Sequence, residues 1–196
     1  MRLRIGILAV VAIALGVAAG ADAQPADASK VAALRQAMDP GEAHKRLEPL
    51  VGTFDVKVRA WIDPSEPPIE SMAVAVSEWV LGKRYIQTML SGFVLGEPWS
   101  AIGYAGFDNI AKKYVATYMD SGSTGMDWVT GSMSPAGKTA TLTATVHDAI
   151  TLQPIKAEMR LGFTANGDHV TGLWQPDASG KMVQVLELQY TRTAGQ

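Results

Sequence analysis

Three sets of side chains in this sequence have the types that acid–base, metal or ligand chemistry requires. Glu78 is the first: it alternates with Met72, Val74, Val76 and Val80, so its carboxylate shares a face with apolar groups. A carboxylate so placed needs a partner or holds its proton to higher pH, which is how proteins make general acids. Tyr85 and Arg84 follow closely enough to assist it, and Glu78 is the best single candidate for proton transfer. Asp120 and Asp127 are the second set, flanking the loop Ser121–Met126. Across a hairpin tip they would meet as an acid–base pair or a weak calcium site, although a solvated turn explains them equally well. The third set is His44, His147 and His169, which are isolated and lack the spacing of metal ligands.

Much other chemistry is excluded at once. The chain has no cysteine, hence no thiolate metal site, thiol nucleophile or disulfide. None of the motifs H-E-x-x-H, G-x-S-x-G or G-x-G-x-x-G occurs. Gly131 to Thr139 imitates a phosphate loop, but it holds five residues between its glycines and includes Pro135. A net charge of −2 and a pI near 5.9 leave no basic surplus for nucleic acid or an anionic membrane. No cofactor and no metal are expected.

The elements that must position these residues are mostly strands. Val31, Leu34 and Met38 recur at helical spacing behind the capping residues Asp27 and Ser29. Asp39-Pro40-Gly41-Glu42 then breaks and restarts the helix with capping-box spacing, and Ala43, Leu47 and Leu50 give the second helix an apolar side. From Thr53 the period becomes two and turn residues recur every 8–12 positions, predicting about ten strands joined by short connections. They are 53–62, 70–81, 84–93, 98–107, 113–120, 126–133, 139–147, 154–164, 169–175 and 181–192. An up-and-down antiparallel barrel is the economical fold, because a meander of that size otherwise leaves two edges exposed; a sandwich is the alternative.

Hairpin arithmetic assigns faces. A two-residue turn at Gly82-Lys83 pairs Val80 with Tyr85 and Glu78 with Gln87. The opposite face of that strand, Ala73, Ala75 and Trp79, is apolar too, so burial on both sides is expected, with the N-terminal helices packed over it or plugging one mouth. A type I′ turn at Asn166-Gly167 pairs Phe163 with Val170, Leu161 with Gly172 and Met159 with Trp174. All six then point inward, with Arg160, Thr164, His169 and Thr171 in water. Ala101, Gly103 and Ala105 leave room between Trp99 and Phe107, and Tyr114, Tyr118 and Trp128 supply aromatic surface. These features suggest a pocket touched by Glu78, Tyr85, Gln87, Gly103, Tyr118, Trp128 and Trp174; the same aromatics would also serve as plain core.

The first 23 residues read as a secretory leader. Arg2 and Arg4 precede an apolar run from Ile5 to Ala19, and Ala21-Asp22-Ala23 is a small-x-small cleavage site. That run is shorter than the roughly 20 residues a membrane span requires, so stable membrane insertion is not expected. The organisation is therefore a leader over 1–23, a tether and helices over 24–52, and a barrel over 53–194, in a periplasmic or secreted protein.

Longer motifs point to a family. They are His44-x-x-Leu47-x-x-Leu50-Val51-Gly52-Thr53-Phe54-Asp55, Glu78-x-x-Leu81-Gly82-x-Arg84-Tyr85 and Gly103-x-x-Gly106-Phe107-Asp108-Asn109, with Lys113-Tyr114 and Asp120-Ser121 beyond. With them the chain resembles the bacterial domain of unknown function 1579 from about residue 44 to its end. The resemblance implies a calycin-like, lipocalin-like barrel and carries no activity. It also implies a barrel-closing pair in which Arg192 lies over the ring of Phe54, where the family usually has tryptophan.

Three functions follow as expectations. The leading one is binding of a small, largely apolar molecule inside the barrel; the others are an enzyme built on Glu78 and an envelope interaction protein with a filled barrel. Protein recovered from its own host should begin at Gln24, which N-terminal sequencing reads directly; an uncleaved Met1 would refute the leader.

Overall fold

The computed structural model describes residues 27–147, 151–164 and 166–193; the expected leader over 1–23 and its expected cleavage site lie outside them. Alternating inward and outward residues build ten strands: β1 (Gly52–Ala60), β2 (Ile69–Val80), β3 (Tyr85–Val94), β4 (Glu97–Asp108), β5 (Lys113–Asp120), β6 (Asp127–Met133), β7 (Thr139–His147), β8 (Pro154–Phe163), β9 (His169–Pro176) and β10 (Met182–Arg192). Each pairs antiparallel with its neighbours in sequence, and β1 pairs with β10, so the sheet closes into a barrel. Closure leaves no edge strand unpaired. Among the described residues no helix is long and apolar enough to cross a membrane.

Before the barrel come α1 (Ala28–Met38), α2 (Glu42–Lys45) and a 3₁₀ turn (Glu48–Leu50). Asp27 caps α1 by accepting from the Ser29 amide at 3.0 Å. At α2 the expected Asp39–Glu42 box is replaced by another. Gly41 is the N-cap, and its amide donates to His44 Nδ1 at 3.1 Å. His44 is thereby a buried structural residue, packed edge-on to Phe107.

The segment from α2 through the 3₁₀ turn closes one end of the barrel. Leu47 is buried there against Ile86, Tyr114, Val129, Leu142 and Leu161. Three side chains hold the plug by hydrogen bonds: Tyr114 Oη to the Ala43 carbonyl at 3.1 Å, Trp79 Nε1 to Glu48 Oε2 at 2.8 Å, and Arg192 Nη1 to the Val51 carbonyl at 2.8 Å. Arg192 also donates to the Pro49 carbonyl at 3.1 Å, and its guanidinium carbon lies 4.7 Å from the Phe54 ring centroid. Gly52 makes this approach possible: its φ is +139°, and a Cβ there would fall on the guanidinium.

Two expectations are corrected. β2 is not buried on both faces: Ala73, Ala75 and Ser77 point inward, whereas Met72, Val74, Val76 and Glu78 stand exposed on the outer wall. The plug closes a barrel end and leaves that wall bare. The β8–β9 register is also displaced. The Thr164 amide donates to the Asp168 carbonyl at 2.9 Å, which shifts the register by one from the two-residue turn, and Gly167 has φ +80°. Leu161 therefore pairs with Thr171 and Phe163 with His169. A one-residue slip sends every β9 side chain to the opposite face. His169, Thr171 and Leu173 thus face inward, whereas Val170, Gly172 and Trp174 face out.

The seam can be tested by unfolding in urea. Phe54 is fully buried, and Phe54→Ala should cost about 3–5 kcal/mol. Arg192→Ala, losing partly exposed hydrogen bonds, should cost about 1–2 kcal/mol. A double variant showing strict additivity would mean that the stacked contact contributes nothing of its own.

Candidate ligand cavity

Small residues on β4 and β5 set the space. Gly103, Ala105 and Ala116 face inward where larger side chains would meet the opposite wall, and a cavity of about 220 Å³ remains between the two halves of the core. Most of its lining is aliphatic: Leu47 and Leu50 from the plug, Leu90, Val129, Leu142 and Leu161 from the barrel. Among the described residues no lysine or arginine lines it.

Its polar atoms are few. Ser77 and Thr88 hydroxyls engage each other at 2.8 Å across β2 and β3. Tyr118 donates to Asp120 Oδ2 at 3.0 Å; burial, with the Asp120 charge adding to it, pushes the Tyr118 phenol up, so it remains a donor. Tyr190 is buried, and burial raises its phenol as well. Its ring stacks on His169 at 4.1 Å between centroids, and Phe54 meets the same imidazole edge-on at 4.9 Å.

His169 is the most deeply buried polar residue of the lining. It is only 4% exposed, and among the described residues its Nδ1 finds no hydrogen-bond partner. Burial lowers its pKa to about 4, so the imidazole is neutral at ordinary pH. The ring forms part of the cavity wall, while Nδ1 itself is covered by the groups around it.

Asp127 lines the same cavity yet is exposed, so the space meets solvent there. Asp127 lies directly across from Tyr118, and Asp120 is two residues further along β5, which puts all three on the inner face. Burial, then the Asp120 charge, raises the Asp127 pKa.

Of the seven residues expected to touch the pocket, Gly103 and Tyr118 line the cavity, as do Asp127 of the acid pair and His169. The other five of the seven lie on the outer wall. Glu78 is exposed opposite Gln87, which removes the apolar setting that made it a candidate acid. Gln87 donates to Tyr104 at 2.5 Å, Tyr85 lies over Gly106, and Trp128 is 56% exposed. Trp174 is half-buried with the Arg160 guanidinium 4.2 Å from its ring. His169, Thr171, Ser77 and Thr88 were not picked as site residues, since their faces depended on registers and on curvature. The one available signal was the inward row of Ala101, Gly103 and Ala105, which marks the space.

Residues 39–192 match the model of a family described as "Protein of unknown function (DUF1579)". The chain belongs to the DUF1579 family. No curated protein matches it. The solved structure of Rv2717c from M. tuberculosis is similar at 16% identity with a TM-score of 0.56, covering 79% of this chain and 99% of the other. At that identity the likeness speaks to the fold alone. In this DUF1579 member the cavity is lined mainly by matched residues, between Leu47 and Tyr190.

Acid should expose the buried imidazole. The unfolded chain takes up a proton near pH 6.5, whereas folded His169 does so only near pH 4, so stability falls as pH drops through that window. The expected loss reaches about 3 kcal/mol. His44, also lowered by burial, adds in the same direction. His169→Phe should flatten most of the slope in urea melts taken between pH 4 and 7; an unchanged slope would place the ring in solvent.

Proposed function

We propose that this protein binds a small, largely apolar molecule inside its barrel, and that it works outside the cytoplasm. The observation that carries the reading is the cavity of about 220 Å³ itself, lined mainly by apolar side chains and left open where larger residues would have filled the core. The leader over residues 1–23 supports a periplasmic or secreted location.

Size narrows the guest. A cavity of about 220 Å³ exceeds the roughly 150 Å³ that accepts benzene and falls short of the ~300 Å³ where drug-sized sites begin. A body of about ten to fifteen non-hydrogen atoms suits it. A role in protein interaction has separate support in the exposed outer stripe of Met72, Val74, Val76 and Met89. The open cavity argues against the filled barrel on which that reading was first based.

Native mass spectrometry of protein released gently from its host should show a stoichiometric adduct. Thr171→Phe, which fills the cavity from β9, should keep the fold and lose the adduct, while saturating guest should raise wild-type stability by about 2–3 kcal/mol at a hundredfold excess over Kd. If the filled variant keeps the adduct, the ligand sits elsewhere.

A further inference from the structure

Tyrosine side chains from opposite walls converge on the cavity. In the closed ring of ten strands β5 and β10 stand five places apart in either direction, so they face each other across the barrel. Tyr118 reaches in from β5 and Tyr190 from β10, and both belong to the apolar cluster around Phe54 and Leu90. The phenols lie close enough for Tyr190 to oppose ionisation of Tyr118, yet no hydrogen bond joins them.

Their hydroxyls differ in what they have left to offer. The Tyr118 proton is committed to Asp120 Oδ2 at 3.0 Å. Tyr190 is 8% exposed, and its ring is fixed by His169, stacked at 4.1 Å between centroids, and by Phe54, edge-on at 5.9 Å. Its hydroxyl makes no hydrogen bond to a described residue. Among the described residues the unpartnered side-chain atoms that are fully covered are Arg59 Nε, Thr117 Oγ1 and His169 Nδ1. Tyr190 Oη is not one of them, so it keeps surface that a small molecule can touch. On a cavity-lining residue buried this deeply, that surface opens inward.

A buried O–H without an acceptor costs free energy, and a guest oxygen that accepts from it removes that cost. Burial keeps the Tyr190 phenol protonated, so it acts as a donor. The Ser77 and Thr88 hydroxyls of the same lining already engage each other at 2.8 Å. Charge is treated differently. Among the described residues no lysine or arginine lines the cavity, and Asp127 does. A carboxylate buried there would stay unpaired, at a cost far above that of an uncharged oxygen.

We infer that the cavity selects an uncharged molecule with an oxygen acceptor, a small ketone, ester or alcohol whose oxygen takes a hydrogen bond from Tyr190 Oη while its apolar body fills the remaining space. This deepens the proposed function and rests on it. The stacked imidazole of His169 and the edge of Phe54 hold the donor in place before a guest arrives, so little ordering is left to be done on binding.

Three probes of nearly one size test the selection: benzylacetone, hydrocinnamate and isopentylbenzene, which carry a ketone, a carboxylate and no polar group. Each is titrated into the full-length protein and followed by NMR shifts of the cavity methyls. Tyr190→Phe removes the hydroxyl and keeps the ring; with no hydrogen bond to lose, the free variant should melt no lower than the wild type. It should bind benzylacetone about three- to tenfold more weakly and isopentylbenzene no more weakly than the wild type does. Hydrocinnamate should bind the wild type far more weakly than the ketone. The infrared carbonyl stretch of benzylacetone bound to the wild type should lie below its frequency in alkane, and Tyr190→Phe should restore it. Equal ketone affinity in both proteins, or hydrocinnamate bound as tightly as the ketone, would overturn the selection while leaving the cavity a ligand site. An unshifted stretch in the wild type would do the same whether or not the variant folds. Failure of every probe to enter would overturn both readings.

Discussion

The seam between β1 and β10 is the constraint on which the remainder of the molecule depends. Ten antiparallel strands joined by short connections form a ribbon with two free edges, and such edges recruit other chains. Pairing Phe54 with Arg192 and Ala60 with Leu186 removes both edges at once. Arg192 then fastens the seam to the plug by reaching the carbonyls of Val51 and Pro49 across the face of Phe54. The same residue receives the Asp168 carboxylate on its own backbone amide at 2.9 Å, which ties the β8–β9 turn to β10. One side chain and one amide thus link closure, plug and register.

That register decides what the interior is made of. With Phe163 paired to His169, β9 presents His169, Thr171 and Leu173 to the inside, and the imidazole is received by Phe54, Phe163 and Tyr190. The aromatic setting offsets part of the cost of burying a polar ring, and neutrality avoids the far larger cost of burying a charge. The result is a cavity that is apolar in its body and polar at a few fixed points. Among the described residues its one acid, Asp127, lies where water still reaches.

The fold was largely legible in the chain. Period-two alternation from Thr53 to Arg192, punctuated by turn residues, marked ten strands within a residue or two of their observed ends, and the Gly82-Lys83 hairpin paired Glu78 with Gln87 as expected. The row Ala101, Gly103 and Ala105 located the space inside, and belonging to the family agrees with the motifs that suggested it. Two kinds of information were not legible. An apolar pattern on both faces of β2 does not say which faces inward, because Met72, Val74 and Val76 look as hydrophobic as Ala73 and Ala75. Asn166-Gly167 favours a two-residue turn locally, and only packing chose the longer one.

By itself, then, the sequence determined the local periods, the turns and the order of the strands, since these follow from backbone sterics and from near-neighbour hydrophobicity. Tertiary structure decided the faces. Curvature makes small residues such as Ala73, Ala75 and Ser77 fit the crowded inside of the wall at β2 and leaves bulkier ones outside. Long-range contacts from Arg192 and Tyr190 to Asp168 and His169 chose a register that local preference opposed. A face depends on what lies across the barrel, and residues more than a hundred positions apart supply that neighbour in β1 and β10.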